Sequence, residues 1–182
     1  MDNLQAHSIA RDWLARWADV VNCSPTNLDH AVESVFVQDG WLRDLLVLGD
    51  DFHTAHGHNE VAHHLRRCIT HRNPGIHDIR LDTDTSQDGA FIAEIPGGIC
   101  VTLFFLLDRT CPDLATVRGC ARLMLHEGTW KAWTVLLMLH NFNGFEESFR
   151  RDGRTATTEM PWDDVLEEER AIIEADPEVL IG

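Results

Sequence analysis

Basic residues are scarce in this chain. Its 182 residues hold 15 Lys and Arg against 30 Asp and Glu, a formal net charge of -15. Binding a phosphate backbone needs clustered cations, so nucleic acid is excluded as a partner. Long apolar runs are also missing. The longest, such as "VLLML" at Val135–Leu139, fall far short of the ~20 residues that span a bilayer, so no membrane partner is expected. The five cysteines (Cys23, Cys68, Cys100, Cys111 and Cys120) form no C-x-x-C pair, and their number is odd. The opening "MDNLQAHSIARDW" has no signal-peptide pattern. Free thiols in a reducing compartment, the cytoplasm, are the simplest expectation. No G-x-S-x-G, P-loop or complete G-x-G-x-x-G occurs, which removes support for nucleophile-elbow, nucleotide and dinucleotide chemistry. There is no tyrosine at all.

What is present reads as an ordinary globular domain, 44% hydrophobic and 25% charged. Ile9, Trp13, Trp17 and Val20 recur at intervals of three and four, predicting an amphipathic helix over 9–21. Pro25 interrupts, and Thr26 or Asn27 can cap a second helix running to about Phe36. "FVQDGWLRDLL" follows as a strand, "LGDD" as a turn, "FHTAH" as a short strand and "GHNEVAHHLRRCI" as a third helix. From Pro74 on, the pattern turns to strands: "IHDIRLDT", "AFIAEI", "ICVTLFFLLD", "ATVRGCARLMLH" and "WKAWTVLLMLHNF". Helices first and long adjacent strands after them imply an α+β fold, with helices packed on an antiparallel sheet. Residues 1–150 are read as that domain. Residues 151–182 are read as a tail carrying an acidic helix, "WDDVLEEERAIIEAD".

The strand at Phe36–Leu46 holds the main candidate. Asp44 sits among Trp41, Leu42, Leu45 and Leu46. Apolar enclosure disfavours the charged form of a carboxylate, which would raise its pKa toward that of a useful proton carrier. On a regular strand Arg43 points to the opposite face. Trp17, Trp41 and Trp133 are expected to meet where the helices cover the sheet, as the walls of a small-molecule pocket or simply as core. His53, His56, His58, His63 and His64 crowd "FHTAHGHNEVAHH". They lack the H-E-x-x-H spacing and span a strand, a turn and a helix, so no metal site is expected. The last strand is apolar on both faces, Trp133, Val135, Leu137 and Leu139 on one, Trp130, Leu136 and Met138 on the other. A sheet of that kind must be covered on both sides, by the helices on one and by a partner subunit or the tail helix on the other.

The order helix, helix, "F-x-x-D-G-W-x-x-D", then "H-G" opening a third helix, then a sheet, resembles the nuclear-transport-factor-2-like (SnoaL-like) superfamily. Within it the chain is most similar to the N-terminal domain of microbial and fungal flavin-containing monooxygenase-like proteins. The segments "DGWLRDLLVLGDDFHTAHG", "WKAWTVLLMLHNFNGFEE" and "DPEVLIG" carry that likeness. The resemblance implies a cone-shaped fold over about residues 8–150. In those flavoproteins a segment like "DPEVLI" leads into a Gly-rich phosphate loop. This sequence ends at Gly182 before one, so neither flavin nor nicotinamide is expected as cofactor.

The same resemblance implies roles for particular residues. Asp44 falls on the general base of the ketosteroid isomerases of this fold. Trp17 falls where they keep an oxyanion-hole tyrosine, His64 on an aromatic pocket position and Trp133 on the pocket wall. Their acidic oxyanion partner falls near Cys120–Ala121, which is a departure. One expectation is therefore a cofactor-independent isomerase, cyclase or dehydratase of secondary metabolism. Asp44, with His64 or His53 as its proton partner, would move protons on a polycyclic, alkaloid-like or polyketide-like substrate. Arg43 would steady an oxygen if the strand twists inward. The alternative is a non-catalytic module for dimerisation or binding, derived from such a flavoprotein. A homodimer is expected in either case. An open interior reaching Asp44 would favour the enzyme, and an interior filled by Trp and Leu side chains the module.

Overall fold

The computed structural model describes residues 3–71, 74–96, 98–110 and 115–142. The expected boundary near residue 150 and the tail helix lie outside the described residues. Helix α1 (Asn3–Val21) opens the fold. It buries Ile9, Trp13, Trp17 and Val20, the apolar stripe visible in the sequence, together with Ala6, Ala10 and Leu14. A short 3-10 turn (Pro25–Asn27) replaces the helix where proline forbids it, and α2 follows (Leu28–Val35). Phe36 ends α2 in extended conformation and begins strand β1 (Phe36–Leu45). Next come β2 (Phe52–His56) and α3 (Gly57–His71). Gly57 opens α3 at φ 75°, a left-handed value that glycine adopts without steric cost.

The remaining strands are β3 (Ile76–Leu81), β4 (Ala90–Ile95), β5 (Gly98–Arg109), β6 (Ala115–His126) and β7 (Thr129–Phe142). They form one curved sheet in the order β2-β1-β7-β6-β5-β3, with β4 beside β5. β4 and β3 follow one another along the same edge of β5, pairing with its first and second halves. The sheet is mixed rather than antiparallel as expected, because β1 lies parallel to β7. Helix α3 and five strands separate β1 from β7, so no hairpin dictates their relative direction.

The interior between α1, α3 and the sheet is filled by rings. Trp13 and Trp17 stack with centroids 5.8 Å apart. Trp13 meets Phe105 edge-on at 6.2 Å, and Trp17 meets Phe36 edge-on at 6.0 Å. All four are fully buried, as are Leu42 and Leu65. A Cβ on Gly119, the cross-strand partner of Phe105, would lie 2.2 Å from that ring. The absence of a side chain there makes room for the aromatic.

Candidate functional site

Asp44 faces inward. The burial along β1 alternates around it, with Gly40, Leu42 and Asp44 buried and Trp41 and Arg43 exposed. Parity in the sequence had placed Asp44 on the same face as Leu42. Its carboxylate accepts N–H bonds from Val47 (2.9 Å), Leu48 (3.1 Å) and Gly49 (2.9 Å), the loop that leaves β1. His64, on the buried face of α3, donates Nε2–H to the same carboxylate at 3.0 Å. A carboxylate can only accept here, so Nε2 carries a proton.

These bonds reverse the expected pKa shift. Burial pushes the Asp44 carboxyl up, but the bonds from His64, Leu48, Gly49 and Val47 together hold it below the ordinary carboxylate value. Asp44 is therefore ionised and occupied, where a raised pKa had been expected. Successive backbone N–H groups gathered around one anion make a nest of the kind that fixes a tight loop. Arg109 of β5 grips the loop from its other polar edge, donating to the carbonyls of Leu46 (2.8 Å) and Val47 (3.2 Å). Leu46 holds φ at 64°, a left-handed conformation costly for a branched side chain, and these two clamps help to offset that cost. Nothing in the sequence pointed to Arg109, which lies 65 residues beyond Asp44.

His53 is the cross-strand partner of Asp44, and its half-buried ring stacks on His64 at 4.1 Å. Partial burial, then the neighbouring His64 and Arg67, hold its pKa below the usual histidine value. Cys68 sits one turn after His64, with Sγ 3.7 Å from Nε2 and 3.9 Å from Nδ1. Those near-equal distances differ from a thiol aimed at one lone pair. Burial and the charge of Asp44 push the thiol up to about 11, so it stays protonated and unactivated. The i, i+4 spacing of His64 and Cys68 on a helix was the sequence signal for this pairing.

Asp44, His64 and Cys68 offer donor atoms within 4.8 Å of one another, the geometry of a small metal site. The donor chemistry fits an ion poorly. Both carboxylate oxygens already accept N–H groups, His64 spends Nε2 on Asp44, and the thiol would have to lose its proton. Of the five crowded histidines, His53 and His64 come together and the other three do not join them. His56 stacks on Trp41, His58 bonds the Phe36 carbonyl at 3.0 Å and His63 is exposed.

The three tryptophans do not meet, which corrects the expected pocket wall. Trp17 is locked in the ring stack, and its buried Nε1 has no hydrogen-bond partner among the described residues. Trp41 lies on the outer face of the sheet. Trp133 joins it there for a specific reason. Between Ala132, opposite Leu123, and Thr134, opposite Arg122, it is the extra residue of a β-bulge, so the strand's parity slips. Ala132 and Val135 point inward while Trp133 points out. Arg43 also lies on the outer face, hydrogen-bonded to Thr54 of β2. A groove of about 810 Å³ does open on the molecule, but between α1 and β3, and neither Asp44 nor His64 lines it.

This architecture recurs in solved structures. A protein of Caulobacter vibrioides with a cystatin-like fold superposes with a TM-score of 0.51 at 12% identity, over 75% of this chain and 91% of that one. A Nostoc punctiforme protein of unknown function with the same fold gives 0.50 at 13%, over 74% and 90%. An NTF2-like protein of Novosphingobium aromaticivorans, also described as cystatin-like, gives 0.47 at 15%, over 85% and 88%. This chain shares the cystatin-like fold of the first two. At such identities the likeness speaks for the fold alone. No family model matches the chain, and no curated protein matches it either.

Proposed function

We propose that this NTF2-like chain is a non-catalytic binding module that pairs with a second copy of itself through the outer face of its sheet. The observation that carries this reading is the apolar strip there. Trp41, Trp133, Leu136 and Met138 are 42%, 38%, 36% and 40% exposed. In register, Arg43, Leu136, Cys120 and Phe104 run as one row across β1, β7, β6 and β5. Aromatic and Arg side chains on an apolar patch are the composition of interface hot spots. A twofold pairing would bury the same patch from both copies. The filled interior supports the same reading, since the rings of Trp13, Trp17, Phe36 and Phe105 occupy the space a substrate would need. Kinship with the N-terminal domain of flavin-containing monooxygenase-like proteins belongs to this proposal and rests on "DGWLRDLLVLGDDFHTAHG".

Light scattering at micromolar concentration is the test. A dimer is expected, against 20.6 kDa for the monomer, and Leu136→Glu should return the monomer with its circular dichroism unchanged. A wild-type monomer sinks the proposal.

A second reading keeps the chain a cofactor-independent isomerase or cyclase. In its favour is the line from the half-buried His53 ring through His64 to the Asp44 carboxylate. It requires the interior rings to part around a polycyclic substrate. Turnover of such a compound that survives His53→Gln and Asp44→Asn would remove these residues from any mechanism.

A further inference from the structure

The groove between α1 and β3 lies outside the ring-filled interior and outside the outer-face strip. The geometry points to it as a binding site for a small amphipathic zwitterion: an apolar body whose head carries a carboxylate beside an ammonium. Its size, about 810 Å³, falls within the range of small-molecule sites. One wall is α1, from His7 through Arg11 and Leu14 to Ala18, with Asn22 just past its end, a run of ~22 Å at the helical rise. The other wall is β3, with Ile76, Ile79 and Leu81.

The free edge of β3 is a poor seat for an added peptide strand. Its pairing with β5 slips between His77 and Arg80, and Asp78 holds φ at 47°. A bulge of that kind breaks the regular row of backbone groups that strand addition needs. A small ligand is the better occupant.

The charges select its head. Among those lining the groove, Arg80 pairs with Asp78 and Asp108. Arg11 and Asp88 have no ion-pair or hydrogen-bond partner among the described residues. They belong to the same end of the groove. His7, one turn before Arg11, bonds the carbonyl of Gln87, the residue before Asp88, at 3.2 Å. Among the described residues lining the groove, Arg11 and Asp88 thus stand as a cation and an anion without a partner at one end, with an apolar channel of Leu14, Ile79 and Leu81 leading away. A carboxylate on Arg11 and an ammonium on Asp88 satisfy both, where a simple fatty acid or amine would leave one charge unmatched.

Three probes of equal length test this by calorimetry and amide chemical-shift mapping on the full chain: 2-aminodecanoate, decanoate and decylamine. The zwitterion should bind with a Kd below about 1 mM and about tenfold more tightly than either single-charge probe. Shifts should fall on α1 and β3. Arg11→Gln should weaken 2-aminodecanoate and decanoate and leave decylamine unchanged. Asp88→Asn, which tolerates the left-handed backbone, should do the reverse. Ala15→Glu, exposed in the groove wall, should weaken all three. Equal binding of the three probes, no binding, or shifts confined to Trp41, Leu136 and Met138 would overturn the assignment.

Discussion

At the scale of single residues, Asp44 organises its surroundings through saturation rather than reactivity. Asp44→Asn places an amide NH2 against backbone N–H groups, leaving donors facing donors in the interior. Losing that acceptor should cost about 3 kcal/mol, read from urea unfolding at neutral pH. The sign of the pH dependence follows from two depressed pKa values. The folded state takes up fewer protons than the unfolded chain at both His53 and Asp44, so stability falls on acidification. The His53 contribution is present above its unfolded value of 6.5 and fades below it. The Asp44 contribution is present above 3.8 and is lost as pH falls through the folded value. Asp44→Asn should remove the second, more acidic step and keep the first. A variant that retains both steps would show that other carboxylates govern acid unfolding. Asp44 was legible in the sequence as a buried carboxylate, because strand parity is a local property. Its three backbone partners were not, and His64 was named beside it only through the family resemblance.

At the scale of elements, the sheet's irregularities decide which side chains face which way. The bulge at Trp133 moves one tryptophan from the expected inner wall to the outer face. No sequence pattern of alternating apolar residues reveals such a slip when both faces are apolar. Gly119 and Phe105 show the opposite kind of coupling, in which one strand lacks an atom because its neighbour needs the space. A Cβ on Gly119 would meet three ring atoms of Phe105 at 2.2, 2.4 and 2.6 Å. Gly119→Ala should therefore destabilise by about 1–3 kcal/mol, despite alanine's better fit to ordinary strand backbone. Phe105→Leu in the same chain should recover part of that loss. If Gly119→Ala unfolds at the wild-type urea midpoint, the ring has room to move and the interior is looser than its packing implies.

At the scale of the whole molecule, the net charge of -15 sets a repulsion that the fold must overcome. Exposed ion pairs such as Arg66–Asp29 and Arg67–Asp51 offset little of it, being few and solvated. Raising ionic strength from about 10 mM to about 200 mM shortens the Debye length from ~30 Å to under 10 Å. The melting temperature should rise over that range and flatten beyond it. Self-association through an apolar face should strengthen with the same addition of salt, because two acidic copies repel less. A melting temperature that falls with salt would mean attractive pairs outweigh the global repulsion.

The helices, the strands and their order were written in the sequence, because amphipathic period, proline position and β-branched runs act over a few neighbouring residues. The α+β class follows from that order. The parallel pairing of β1 with β7 was decided only in three dimensions, as were the clamp of Asp44 and Arg109 on one loop and the groove that brings Arg11 and Asp88 to one wall-lined space. Each joins groups far apart along the chain, and local periodicity holds no record of which distant partner a side chain will meet.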